Sequence, residues 1–160
     1  MFLGSGQVFG QAGDFCKAIH VITADAPNKF KNIRGNVQKS NPGTTIWAAG
    51  IKIPGGISAR FVASMGLFYE CAFFQTGKKE ELKLVYDKYK SELAACLHDG
   101  YSMDTQPNFY PGIADFKKIV FWPVVKDDTK ADNAPAHIVM EAAYNKDVGL
   151  YTIVLYIFEH

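Results

Sequence analysis

The chain lacks the features by which several classes of protein are recognised. Its 17 basic and 16 acidic residues give a formal net charge of +1, without the basic excess typical of nucleic-acid-binding domains. No run approaches the roughly 20 apolar residues that cross a bilayer, since the longest candidate, residues 148–158, is short and alternates like a strand. We therefore expect no nucleic-acid partner and no membrane span.

Motifs for catalysis, cofactors and metals are also missing. The N-terminal glycines do not have the spacing of a phosphate-binding loop, and no Gly-x-Ser-x-Gly or His-Glu-x-x-His segment occurs. Cys16 and His20 stand one helical turn apart, but two ligands do not make a metal site. Cys96, His98 and Asp99 follow one another in sequence, whereas catalytic partners meet in space. We predict no catalytic residue, no metal and no cofactor.

The composition is that of one folded domain. Of the 160 residues, 48% are hydrophobic and 21% are charged, which is ordinary for a globular chain of this length. We assign residues 1–13 to a flexible N-terminus or a residual signal segment, and residues 14–160 to a single α+β domain. Val8 and Gly10 resemble the small-x-small end of a secretory signal. This pattern favours an exported protein, periplasmic or secreted, and a flexible terminus is the alternative.

Hydrophobic periodicity predicts two main helices. The first covers residues 15–24 with Asp14 as its N-cap, and a second, short helix follows from Pro27 and stops at Gly35. The other main helix covers residues 77–97, with an apolar stripe and a charged solvent face. Residues 36–43 are polar and are predicted to form a loop.

Six apolar, β-branched or aromatic segments predict strands. The expected order is α-βββ-α-βββ, an antiparallel sheet of about six strands with two main helices on one face. These segments are residues 44–53, 58–65, 67–74, 118–125, 137–144 and 150–158.

The three cysteines leave two interpretations open. Cys71 lies within a predicted strand and Cys96 on the apolar stripe of the next helix, and consecutive elements commonly pack together. A disulfide between them would leave Cys16 over and would fit an oxidising compartment. Cysteine is also among the most buried residues when it is unpaired, so buried thiols are the alternative.

The connection over residues 98–117 shows no regular pattern and is long for a compact domain. It contains Tyr101, Phe109 and Tyr110 among prolines and glycines. Aromatic side chains on a proline-stiffened loop present rigid contact area, so we select these three residues as the candidate binding site. The alternative is that they fold back over the core.

Two functions from different classes remain. The preferred hypothesis is a non-catalytic exported domain that binds a protein or peptide partner through a sheet edge or through the loop with Tyr101, Phe109 and Tyr110. A homodimer is a variant of it. The alternative is a small thiol-dependent or hydrolytic enzyme, with Cys16 and His20 or Cys96 and His98 brought together only by the fold.

Overall fold

The structure, a computed structural model, describes residues 8–109, 112–124 and 136–159. Within these ranges a helix followed by four strands occurs twice, giving the order α-ββββ-α-ββββ. A single 3-10 turn, Ala26–Asn28, follows the first helix. The first group is α1 Val8–Asp25, β1 Arg34–Asn41, β2 Thr44–Ala49, β3 Ser58–Ala63 and β4 Leu67–Thr76; the second is α2 Lys79–Leu97, β5 Tyr101–Gln106, β6 Lys118–Pro123, β7 His137–Asn145 and β8 Leu150–Phe158.

The described strands form one antiparallel sheet in the order β1-β2-β3-β4-β8-β7-β6-β5. Each group of four strands is a meander, in which neighbours in sequence are neighbours in the sheet. The two meanders meet where β4 pairs with β8. Counted inward from either edge of the sheet, four strands therefore follow one another in chain order. The α+β class and the antiparallel sheet are confirmed.

The expected six strands are present, and the number is corrected to eight among the described residues. The two strands that were missed are β1, most of which was predicted as a loop, and β5, which lies in the long connection. Both are edge strands, exposed along almost their whole length. Neither therefore shows the apolar alternation by which a half-buried strand is recognised.

The first helix also differs from the prediction. α1 begins at Val8, ahead of the predicted cap Asp14, and Pro27 lies in the short 3-10 turn Ala26–Asn28 rather than at the start of a second helix. Lys29 and Phe30 adopt left-handed φ values of 57° and 54°, which end helical structure. Asp25 holds this turn, because its carboxylate accepts hydrogen bonds from the backbone and side-chain N–H groups of Asn32.

Both helices pack on one face of the sheet and form the core with it. Their buried side chains include Ile19 and Ile22 of α1 and Leu82, Leu93 and Leu97 of α2. Alternate residues of the central strands point toward them, as the two-residue period of a strand requires. These strand residues are Phe61, Leu67, Tyr69, Cys71, Phe73, Phe121, Ile138, Met140, Leu155 and Ile157.

A disulfide joins the two helices. It links Cys16 to Cys96, with 5.2 Å between their Cα atoms and a sequence separation of 80. The predicted pairing of Cys71 with Cys96 is wrong, and Cys71 is a buried free thiol. The physical reason is that α1 and α2 are in contact with each other, so the sulfur of Cys96 meets a neighbouring helix rather than the strand beneath it.

The Cys16–Cys96 bridge predicts a large loss of stability on removal. A loop closed over a separation of 80 residues stabilises the folded chain by about 4.5 kcal/mol on the chain-entropy model. We expect the double variant Cys16→Ser, Cys96→Ser to lose roughly that much in free energy of unfolding, measured by urea denaturation. A reductant should lower the stability of the wild type to the same level and leave the double variant unchanged. Equal stability of wild type and variant would contradict the prediction.

Candidate functional site

The face of the sheet opposite the helices, which we call the open face, carries the candidate site. No described helix or strand packs over it. Strand register places its side chains in rows that cross the sheet, each residue directly opposite the next. The row with the most aromatic residues runs from β1 to β5 through Lys39, Ile46, Val62, Phe68, Phe158, His137, Trp122 and Ser102.

Four consecutive members of that row, Phe68, Phe158, His137 and Trp122, form what we call the aromatic row. The His137 ring lies 4.5 Å from that of Phe158 at an interplanar angle of 4°, and 5.1 Å from that of Trp122 at 20°. Phe68 continues the row, 5.3 Å from Phe158. At its other end Trp122 is 41% exposed, and the next position, on β5, is the small Ser102. The aromatic row therefore ends in an accessible indole beside the sheet edge.

A groove of about 300 Å³ lies over this part of the open face, lined by residues of β5 to β8. Lys118 and Glu141, which also line it, form an ion pair of 3.2 Å, and the side chain of Glu141 is almost fully buried. A buried carboxylate is costly without a partner, and Lys118 offsets that cost. The volume is at the lower limit for small-ligand pockets and suits one or two side chains of a partner.

β5 leaves backbone hydrogen-bonding groups at the edge of the sheet. The Val124 N–H donates to the Gly100 carbonyl, which makes Tyr101 and Pro123 a non-hydrogen-bonded pair of the β5–β6 ladder. Strand alternation then turns the N–H and C=O groups of Tyr101, Met103 and Thr105 outward, away from β6. No described strand pairs with that side of β5.

One of these outward groups already has a partner. The Thr105 N–H donates to the carboxylate of its neighbour Asp104, at 2.7 Å. Asp104 is exposed on the open face, opposite Val120 of β6. A charged side chain of this kind is a common way of protecting an edge strand from unwanted pairing.

The other edge of the sheet is protected differently. The pairing of β1 with β2 has two register irregularities, on either side of Val37, and Lys39 adds a charge on the open face. Bulges and lysines both disfavour addition of a further strand. The β5–β6 register, in contrast, is regular from Tyr101 to Gln106. β5 is therefore the more accessible of the two edges.

The candidate residues from the sequence fall in different environments. Tyr101 lies on the helix face and packs against the core, and burial raises the pKa of its hydroxyl, which contacts the Thr23 side chain. Phe109, three residues beyond β5, is 88% exposed. Tyr110 lies outside the described residues. The structure thus separates Tyr101 from Phe109, and their role in binding stays a prediction.

Sequence reasoning missed Trp122, His137 and Phe158. Each lies in or at the end of a predicted strand. Their alignment in one row depends on the strand register, which the sequence does not reveal. One available signal was that residues 119–122 are apolar on both alternating faces, although only one face of an α+β sheet needs apolar residues for a helix layer. The helix-side core does not account for the second apolar face.

The cysteines and histidines take other places. Cys16 and Cys96 are bonded to each other, so neither has a free thiol next to His20 or His98. Cys71 is fully buried, and this burial raises the pKa of its thiol to about 11, which keeps it protonated near neutral pH. His98 contacts the Asp99 carboxylate at 3.0 Å on the surface.

Within residues 8–109, 112–124 and 136–159, no cluster of three or more His, Cys, Asp or Glu side chains is arranged to hold a metal ion. No helix in those ranges has the length and apolar character to cross a membrane. The chain matches no family model, no curated protein and no solved structure.

The different environments of Tyr101 and Phe109 predict different effects on stability. We expect Tyr101→Ala to reduce the free energy of unfolding by about 2 kcal/mol, because it removes a ring packed on the core. Phe109→Ala should change it by less than about 0.5 kcal/mol, because that ring is largely in solvent. Urea denaturation of both variants measures this. Equal losses would show that Phe109 is packed in solution.

The buried thiol of Cys71 predicts slow alkylation. Its pKa of about 11 means that only a very small fraction is thiolate at pH 7, and burial also excludes the reagent. Iodoacetamide should leave the native, unreduced chain unlabelled at pH 7 and label one site after unfolding in urea, as intact mass shows. Cys71→Ser, the control, should take no label in either state. Fast labelling of the native wild type would contradict the assigned burial.

Proposed function

We propose that this chain is a non-catalytic binding domain, which takes an extended peptide segment of a protein partner as a ninth strand on the outer edge of β5. The observation that carries the proposal is the regular edge of β5, with the backbone groups of Tyr101 and Met103 turned outward beside the exposed Trp122. Addition of a strand to an exposed sheet edge is a common mode of peptide recognition. Main-chain hydrogen bonds supply affinity, and side-chain contacts supply specificity.

Apolar side chains around the edge support this proposal. Met103 is 49% exposed on the helix side of β5, Trp122 is exposed on the open face, and Phe109 follows the strand almost fully in solvent. Aromatic residues and methionine are enriched where proteins bind one another. An added strand would therefore gain apolar contacts on both of its faces in addition to the backbone hydrogen bonds.

We place this activity outside the cytoplasm. The Cys16–Cys96 disulfide supports that part of the proposal, because structural disulfides persist mainly in oxidising compartments. The intact mass of the protein from its native host, alkylated before and after reduction, tests it: a bridged chain supports export, and three free thiols contradict it.

Strand addition predicts that proline at position 103 abolishes binding. Proline has no N–H to donate, and it is tolerated where that N–H faces away from the sheet, as it does at Met103. A library of random decapeptides displayed on phage, panned on the wild type, should yield binders that lose at least tenfold in affinity for Met103→Pro. The same binders should retain affinity for Met103→Ala within about threefold, since alanine keeps the N–H.

Hydrogen exchange of the complex supplies an independent readout. Bound peptide should slow exchange at the amides of Tyr101 and Met103 and leave the β1 amides unchanged. Circular dichroism and thermal unfolding should show that Met103→Pro is folded. Binders that are insensitive to Met103→Pro would place the site elsewhere, and a homodimer that Met103→Pro dissociates would show that β5 pairs with a second copy instead.

A further inference from the structure

We infer that the segment bound at β5 carries a basic residue opposite Asp104 and an aromatic residue opposite Ser102, in the order basic–any–aromatic from its N-terminus. This inference rests on the proposed function and specifies the class of partner. It follows from the hydrogen-bonding alternation of β5, the end of the aromatic row and the charge at the edge.

The alternation decides which β5 side chains meet the partner most closely. Tyr101, Met103 and Thr105 turn their backbone groups outward, so they take the hydrogen-bonded positions of a β5–ninth-strand ladder. Ser102 and Asp104 then take the non-hydrogen-bonded positions. Residues in such pairs have Cα atoms only about 4.5 Å apart, and both Ser102 and Asp104 face the open side. The ninth-strand residues directly opposite Ser102 and Asp104 are therefore the ones whose side chains β5 constrains most strongly.

The position opposite Ser102 selects an aromatic side chain. Ser102 lies next to Trp122 in the register, and its own side chain is too small to cover the indole, which is 41% exposed. Strands are spaced by about 4.8 Å, so a residue on the ninth strand is two spacings from Trp122. A long, flat side chain can lean over Ser102 and continue the stacking of Trp122 on His137, whereas a short aliphatic one falls short.

The position opposite Asp104 selects a basic side chain. In the free chain the carboxylate accepts the Thr105 N–H. That N–H faces outward, so a carbonyl of the ninth strand replaces the carboxylate as its acceptor and leaves Asp104 for a new partner. Lys118, the cation that lines the groove nearby, is engaged with Glu141. A lysine or arginine from the ninth strand supplies the missing charge, and a carboxylate would be repelled.

The order of the two residues follows from strand direction. Every described neighbour pair in the sheet is antiparallel, and antiparallel pairing is the slightly more stable arrangement per residue. In an antiparallel ninth strand, the residue opposite Asp104 precedes the residue opposite Ser102 by two positions. The spacing basic–any–aromatic is therefore read from N- to C-terminus.

A designed peptide tests the inference directly. The probe is a twelve-residue peptide of alternating threonine and valine. At its centre one lysine stands two positions before one phenylalanine. The protein carries Trp47→Phe, which leaves Trp122 as the remaining tryptophan of the two in the chain, so its fluorescence reports the contact. We expect saturable binding with a change in Trp122 emission, and the same affinity in the wild type by calorimetry.

Matched peptides separate the two contributions. Replacing the phenylalanine by alanine should weaken binding about three- to tenfold, the range of an aromatic pair. In a protein that carries Trp122→Ala, the same replacement should weaken binding much less. Replacing the lysine by glutamate should weaken binding at least fivefold at low salt, less at high salt, and Asp104→Lys should reverse that preference. The peptide with the two residues in the opposite order should bind more weakly than the probe.

The results distinguish this inference from the proposed function. If the probe and its variants bind equally, or the probe does not bind, the inference is wrong. Library-selected peptides that still depend on the Met103 N–H would keep the proposed function in that case. If no selected peptide depends on that N–H, both are wrong. Loss of the charge preference alone, with the Trp122 coupling retained, would overturn the basic position.

Discussion

The pairing of β4 with β8 is the contact on which the rest of the structure depends. Each half of the chain is a helix and a meander whose strands pair with their neighbours in sequence, and this pair joins the halves into one sheet. Its register places Phe68 opposite Phe158, and the β7–β8 register then places Phe158 opposite His137. A shift of one residue would turn these rings to the other face, so the aromatic row exists only in this register.

The two faces of the sheet carry different sets of side chains. On the helix face, the apolar side chains of α1 and α2 and the Cys16–Cys96 bridge hold the core together. The bridge joins the helix of one half to the helix of the other, so it stabilises the β4–β8 junction from outside the sheet. The open face carries the aromatic row and the Lys118–Glu141 pair, which the helix-side core does not need. The residues of the core and those of the candidate site thereby lie on opposite faces of one sheet.

Sequence patterns predicted the helices and strands that bury apolar side chains on one face or on both. α2 and the six inner strands were found within a few residues, because apolar periodicity records burial. The disulfide pairing was wrong, since it depends on which elements touch α2, and periodicity does not report that. The edge strands β1 and β5 were missed, because residues such as Gln38 and Ser102 face solvent and carry no burial signal. The candidate site lies at one of these edges.

The property that makes β5 hard to recognise in the sequence also supports the proposed addition of a ninth strand. A strand that buries little apolar surface gains most of its stability from the hydrogen bonds to its one neighbour, and its outward backbone groups keep their capacity for a second. Asp104 occupies one of those groups in the free chain. A competing strand must replace that bond and also satisfy the carboxylate it displaces. On the proposed mode of binding, an apolar segment achieves only the first, whereas a segment with a matching cation achieves both.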